Sequence, residues 1–289
     1  MIAVRLTGGL GNQMFQYAAG RALADRLGSD LILDTRTFDS YTRHTGYALG
    51  AFDIRAKIAD ATQLLKWPDW EVKLGIRLPI VRPIIVGAYF ESDFTYDAKL
   101  EQQQSDVYLV GYWQSERYFA DIADCIRNDF LLSHLSVGPS ATLLAIAHKE
   151  NSVALHVRRG DYVSVSSAAD LHGVCSAEYY RRAIEILRKL RTDCQFLVFS
   201  DDLEWARREL PLDSSTIFVG GTVQNPELDL ALMRACKHHI IANSSFSWWG
   251  AWLGKSIDQI VVAPIPWFAK HKPDSRDLLV PRWLYINRT

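Results

Sequence analysis

Short apolar runs alternate with longer stretches that place apolar residues every three or four positions, and this alternation sets the expected architecture. Ile2 to Leu6 reads as a strand, Gly8-Gly9-Leu10-Gly11 as a loop, and Asn12 to Leu27 as a helix. The helix presents Phe15, Ala18, Ala19, Ala22, Leu23 and Leu27 on one face. Leu31-Ile32-Leu33-Asp34 follows as a second strand. Residues 35 to 105 break the pattern, because they are irregular, aromatic-rich and interrupted by Pro68, Pro79 and Pro83. Val107 to Val110 resembles another strand, with a helix expected from Glu116 to Phe130. From Ser152 onward the alternation is regular. Strands at 153–157, 196–200, 216–219, 239–242 and 259–263 are interleaved with helices near 177–191, 202–210, 226–236 and 246–254. Such interleaving predicts a doubly wound parallel sheet. The polar segment from Leu132 to Ser140 is the expected boundary, giving domains 1–135 and 136–289, two α/β halves facing a cleft.

Composition narrows the function classes. The net charge is −1, so no general attraction to nucleic acid or to an anionic membrane is expected, and any positive site is local. Cys125, Cys175, Cys194 and Cys236 are scattered, without C-x-x-C or metal-like spacing, and read as reduced thiols of a cytosolic protein. There is no signal-peptide pattern and no run of about 18 apolar residues. The expectation is a soluble chain, with attachment through a surface patch of basic and aromatic side chains left open.

Four stretches carry candidate chemistry, and each falls at the end of an expected strand or the start of a helix. His156-Val157-Arg158-Arg159-Gly160-Asp161-Tyr162 follows the apolar run Val153-Ala154-Leu155, at the carboxyl end where open α/β sheets bind ligands. Adjacent guanidinium forks suit phosphate or carboxylate, although an internal ion pair with Asp161 would also explain them. Gly8 to Gln13 lets backbone approach a ligand, and the helix start presents N–H groups to an anion. It fails as a dinucleotide fingerprint, since Met14 occupies the third glycine position, and it lacks the Gly-Lys-Ser/Thr ending of a P-loop. Ser200-Asp201-Asp202 could bind a divalent cation, contact a base edge or cap the next helix. Asn243-Ser244-Ser245-Phe246-Ser247 offers hydroxyls and helix-start N–H groups as a phosphate cradle, while Trp248, Trp249 and Trp252 read as core. A smaller constellation, His172-Gly173-Val174-Cys175-Ser176, adds a histidine suited to proton transfer near neutral pH.

Taken in order along the whole chain, these stretches resemble the bacterial α-1,2-fucosyltransferases of glycosyltransferase family 11. The matching residues are Gly8-Gly9-Leu10-Gly11-Asn12-Gln13-Met14-Phe15-Gln16-Tyr17, His156 to Tyr162, His172 to Ser176 with Tyr179-Tyr180, Phe199 to Asp202, and Asn243 to Trp249. The resemblance implies a GT-B-like fold of two Rossmann-type domains. It implies GDP-L-fucose as donor, no cofactor or required metal, and inverting transfer to O2 of a galactosyl residue on a glycan. It places Arg158 on the donor's β-phosphate and His156 and Asp202 by the guanine, with Ser200 beside them. Ser244, Ser245 and Phe246 go to the phosphates, and Gly9, Gly11 and Asn12 to the reacting sugar. Asp161 and His172 are the candidates for the base, and the stretch from Tyr41 to Tyr96 is the expected acceptor-facing surface. No nucleic-acid partner is implied, and the expected location is the cytoplasm, with peripheral contact at the membrane's inner face open.

Two other classes stay in view. An NAD-dependent oxidoreductase would use the glycine loop and Asp34, an acidic residue placed to bind a ribose hydroxyl. A non-catalytic glycan-binding protein would use some of the nine tryptophans as stacking faces.

Overall fold

A computed structural model describes residues 1–39, 46–132, 139–219, 225–269 and 273–289. The chain divides into two compact units, Met1–Leu131 with Arg276–Leu279, and Leu132–Ser275 with Val280–Thr289. Most of the expected boundary segment, 133–138, lies outside the described residues, as do 40–45 of the expected acceptor-facing stretch.

The first unit holds β1 (Ile2–Arg5), α1 (Leu10–Leu27), β2 (Leu31–Asp34), β3 (Lys57–Ile58), α2 (Asp69–Arg77), β4 (Ala88–Phe90), β5 (Val107–Val110) and α3 (Ala123–Asp129). Its sheet runs β3-β2-β1-β5-β4, with every pairing parallel. Helix α1 begins at Leu10, two residues before the expected start, because Gly9 serves as N-cap and its carbonyl accepts from the N–H groups of Asn12 and Gln13. The expected helix from Glu116 is instead two 3-10 turns, Glu116–Tyr118 and Ala120–Ile122, leading into α3. The irregular stretch contains α2 and β4, which the sequence pattern did not announce.

The second unit holds α4 (Pro139–Ala147), β6 (Ser152–Val157), α5 (Gly160–Ser164), α6 (Ser166–Leu171), α7 (Ala177–Leu190), β7 (Gln195–Ser200), α8 (Leu203–Glu209), β8 (Ile217–Val219), α9 (Pro226–Ala235), β9 (His238–Ile240), α10 (Ser245–Trp252), β10 (Val261–Ile265) and β11 (Leu284–Asn287). The sheet order β11-β10-β9-β6-β7-β8, all parallel, is the Rossmann order 3-2-1-4-5-6 counted from β6. Side chains on a strand alternate between faces, and the core divides accordingly. Val153, Leu155 and Val157 pack with Tyr179, Tyr180 and Ile184 of α7, while Ala154 packs with Leu232 and Met233 of α9. Helices therefore cover both faces of this sheet, and the order reverses at β6 and β9. In such sheets the crevice at the reversal binds ligands. All four cysteines carry free thiols.

Candidate active site

Strand register explains how the charged motif of the second unit assembles. Val157 of β6 lies opposite Ser200 of β7, so the residues leaving the two strands run side by side. Arg158 Nη1 meets Asp201 Oδ2 at 3.0 Å, and Arg159 Nε donates to Asp202 Oδ2 at 3.2 Å. The Arg159 backbone N–H also donates to Asp201 Oδ1 at 2.8 Å. The arginines are thus held by the Ser-Asp-Asp element, 42 and 43 residues away. The Asp161 side chain lies outside the described residues. Gly160 is needed beside this cluster: a Cβ there would lie 2.7 Å from Asp201 Oδ2. That oxygen cannot retreat without breaking the arginine contact.

Asp202 has a second role. Its Oδ1 accepts from the Trp205 N–H at 3.0 Å and caps α8, and Ser200 Oγ accepts from the Asp202 N–H at 2.9 Å. The Arg159 guanidinium lies 4.3 Å above the Trp205 ring, so cap, ion pair and cation–π contact share one corner. Both carboxylates considered as cation ligands are engaged by arginine.

His156 sits on the face of β6 opposite the α7 core, 7% exposed, with its ring 5.6 Å from Phe246 at the start of α10. Burial pushes its pKa down to about 4, Asp201 opposing and Arg158 reinforcing the shift, so the ring is neutral at pH 7. Its Nδ1 is buried without a hydrogen-bond partner among the described residues. A buried ring nitrogen left this way requires an explanation, and a ligand edge supplies one.

On the other side of the reversal, Ser244 is the N-cap of α10 but makes no side-chain cap bond. Ser247 turns inward instead, its hydroxyl donating to the Ala242 and Ser244 carbonyls. The first turn of the helix therefore keeps the anion-binding character of a helix start. Trp248, Trp249 and Trp252 are buried, as their all-round apolar helix predicts.

His172 reaches the same region through a stack. Its ring lies on Tyr162 at 4.6 Å and 4°, and Arg158 lies 5.4 Å from the other partner of the stack, the Tyr162 ring centroid. The loop carrying His172 is pinned by Asn243, a residue whose role the sequence did not reveal. The Asn243 carboxamide donates to the carbonyls of His172, Gly173 and Trp267 at 2.9, 3.1 and 3.1 Å. Its Oδ1 lies 3.5 Å from Cys175 Sγ.

The first unit has its own reversal, between β1 and β5, and the glycine loop lies there. Gly8 adopts φ +78°, and a Cβ would lie 2.5 Å from Asn12 Nδ2, so glycine is required twice over. Gly9 is half-buried, Gly11 buried and Asn12 half-buried. Gln13 and Gln16 are fully buried clamps: Gln13 bonds Gly8, Gly46 and Ala48, and Gln16 bonds Thr7 and Gly111. Gln114 Nε2 donates to Asn12 Oδ1 at 2.8 Å. Glu91 accepts from the backbone of Tyr112 and Trp113 at 2.6 and 2.9 Å, fixing the loop after β5. Burial pushes its carboxyl up to about 7, although those two N–H groups oppose the shift. Neither Glu91 nor Gln114 stood out in the sequence, because their partners lie 21 to 102 residues away.

The rival classes lose their anchors. Asp34 is fully buried and already held by Arg36 and the Tyr108 hydroxyl, with Arg5 at 3.7 Å, so it cannot bind a ribose. Seven of the nine tryptophans are buried, leaving Trp70 exposed and Trp205 under Arg159.

Comparison with known proteins decides the family, since the model of glycosyl transferase family 11 matches residues 1–287. The chain belongs to glycosyl transferase family 11. This glycosyltransferase is 36% identical over 294 residues to an alpha-1,2-colitosyltransferase of Escherichia coli, covering 100% of this chain and 99% of that protein. It is 32% identical over 304 residues to the O-antigen biosynthesis glycosyltransferase WbnK of Escherichia coli, covering 97% and 99%. It is 26% identical over 299 residues to a galactoside alpha-(1,2)-fucosyltransferase 1 of Saimiri boliviensis boliviensis, covering 97% and 73%. The solved structure of POFUT1 in complex with GDP-fucose superposes with a TM-score of 0.54 at 13% identity, covering 91% of this chain and 97% of that one. At that identity the likeness concerns the fold, which is GT-B-like with two Rossmann-type units. Among the described residues no helix is long and apolar enough to cross a membrane.

Proposed function

We propose that this family 11 glycosyltransferase is an inverting α-1,2-fucosyltransferase that moves L-fucose from GDP-β-L-fucose to O2 of a galactosyl residue on a glycan. The observation that carries the reading is the pair of arginines at the reversal of the second unit's sheet, beside the start of α10, whose N-cap Ser244 makes no side-chain cap bond. The second unit is then the donor side and the first the acceptor side. Arg158 takes the β-phosphate, with Ser244, Ser245 and Phe246 at the phosphates. His156 and Asp202 take the guanine, Ser200 orients Asp202, and Gly9, Gly11 and Asn12 serve the reacting sugar.

The chemistry fits these groups. The bond from fucose C1 to the β-phosphate oxygen breaks as the acceptor O2 attacks from the opposite face, and negative charge grows on the departing diphosphate. Preorganised donors stabilise that charge more in the transition state than in the bound donor, which is what accelerates the step. Arg158 supplies a permanent charge, and the helix start supplies fixed dipoles. The acceptor hydroxyl proton leaves to His172 or Asp161. His172 has its ring plane fixed by Tyr162, and its backbone by Asn243.

The donor sugar has a second reading, because a relative matching the full chain is named a colitosyltransferase. Colitose is L-fucose without its 3-hydroxyl. A site that hydrogen-bonds that hydroxyl would reject GDP-colitose strongly, whereas one that merely has room for it would accept both. We infer a cytoplasmic enzyme, peripheral to a membrane, acting on a surface-polysaccharide repeat.

The test is Arg158→Ala, assayed with GDP-fucose and a β-galactoside. Loss of a charge-stabilising donor is expected to lower kcat about 10² to 10³-fold, or about 2.7–4 kcal/mol. Turnover near the wild-type value would overturn the assignment. Running GDP-colitose in parallel decides between the two sugars.

A further inference from the structure

Nine of the sixteen large apolar side chains exposed among the described residues lie between Ile58 and Val86, in the first unit. Monomeric proteins rarely concentrate exposed apolar groups in this way without a partner. Helix α2 cannot hide its share by turning. Gly75 faces the core so tightly that a Cβ would lie 2.6 Å from the Phe90 ring and 2.7 Å from Ile85, and Val72 is fully buried beside it. The outward stripe is then Trp70, Lys73, Leu74 and Arg77, at spacings of three and four residues that share one helix face. Trp70 is 66% exposed. The 3-10 strap Pro79–Ile84 continues the surface with Ile80 at 87% and Ile84 at 75% exposure.

Charge identifies the occupant. Between Leu65 and Val86 four cationic side chains face two carboxylates, in a chain whose net charge is −1. Lys66 and Lys73 have acidic partners in Asp106 and Asp69. The Arg82 guanidinium turns inward, donating to the carbonyls of Gly75 and Glu91 and lying 5.3 Å from the Phe90 ring centroid. Arg77 has no carboxylate partner among the described residues. A tryptophan, branched apolar tips, an unneutralised arginine and a local excess of cations are the pattern of a surface lying in a bilayer interface. A second copy fits poorly, because a two-fold interface would set these cations against themselves.

We propose that this surface docks the protein on an anionic lipid bilayer. Trp70, Leu74, Ile80 and Ile84 enter the boundary between headgroups and acyl chains, and Lys73 and Arg77 face the headgroup phosphates. The inference goes beyond the transfer reaction and rests on the first unit alone, so its test uses no substrate.

The full chain is floated with vesicles of phosphatidylglycerol and phosphatidylethanolamine, and separately with phosphatidylcholine alone. Binding is expected to the first and not the second, and to weaken as salt rises. Ile80→Asp with Ile84→Asp should lower the partition coefficient at least about tenfold. Lys73→Ala with Arg77→Ala should lower it about fivefold per charge. Thermal melting checks that these exposed substitutions leave the fold intact. If one does not fold, quenching by brominated lipid that is lost in Trp70→Phe reads the same contact. Salt-independent binding to phosphatidylcholine would overturn the proposal, as would no flotation. A dimer in sedimentation equilibrium that Ile80→Asp with Ile84→Asp dissolves would overturn it in favour of a second copy, and salt-sensitive capture of an acidic protein without flotation would overturn it in favour of a protein partner.

Discussion

Asn243→Ala tests the most connected residue of the candidate site. The side chain is 1% exposed, and its carboxamide nitrogen, with two hydrogens, serves three carbonyls at 2.9 to 3.1 Å. Truncation removes about two hydrogen bonds' worth of donation from buried oxygens. The His172 carbonyl keeps Arg288 as a donor, so the full loss falls on Gly173 and Trp267. At about 1–3 kcal/mol for each buried group left unsatisfied, the cost is about 2–6 kcal/mol. For a unit of this size, at about 2–4 °C per kcal/mol, that lowers the melting transition by about 4–24 °C, read by scanning calorimetry. Asn243→Asp sharpens the test, because it keeps the shape and removes the donors. A carboxylate facing carbonyl oxygens should cost at least as much as alanine. An aspartate variant within about 0.5 kcal/mol of wild type would refute the argument that donation, and not packing, holds the loops.

Asp202→Ala should cost about 1 kcal/mol for the lost cap of α8, plus the Arg159 pair, whereas Asp202→Ser should recover the cap share alone. Calorimetric titration with GDP should show weaker binding in both variants, and unchanged affinity in both would remove Asp202 from the guanine. Stability should depend on pH through His156, whose folded-state pKa is depressed to about 4. The unfolded chain binds the proton first, so this contribution is complete above about pH 6.5 and is lost as the pH falls toward about 4. Urea titrations at about pH 7 and about pH 5 should differ by about 2 kcal/mol less in His156→Gln than in wild type; an equal difference would refute the burial argument. Glu91 acts with the opposite sign: its carboxyl is raised to about 7, so folding favours the protonated form and this contribution falls as pH rises through that value. Glu91→Gln should therefore widen the same difference by about 2 kcal/mol, and a narrower one would count against a buried carboxyl at that position.

Much of the second unit is legible in the residue pattern of the chain. Its strands and helices each bury one face, and burial on one face leaves a period of two or about 3.6 that can be read locally. Residues at strand ends were legible for the same reason, since His156 to Asp161, Ser200 to Asp202 and Asn243 to Phe246 interrupt apolar runs. The cap by Asp202 and the buried tryptophans of α10 belong with them. Elements that exist only through a neighbour were not legible. The three-residue β4 is recognisable as a strand because β5 pairs with it, and α2 carries apolar Trp70 and Leu74 on its exposed face, which blurs its pattern. Polar partners were hidden for a related reason. Arg158 finds Asp201, Arg159 finds Asp202, Gln114 finds Asn12, and Asn243 finds three carbonyls on two loops through strand order and register, across 24 to 102 residues of chain. A charged or amide side chain states in sequence only that it needs a partner when buried. Which partner it receives is decided where the sheet order reverses, and only the tertiary structure brings those strand ends together.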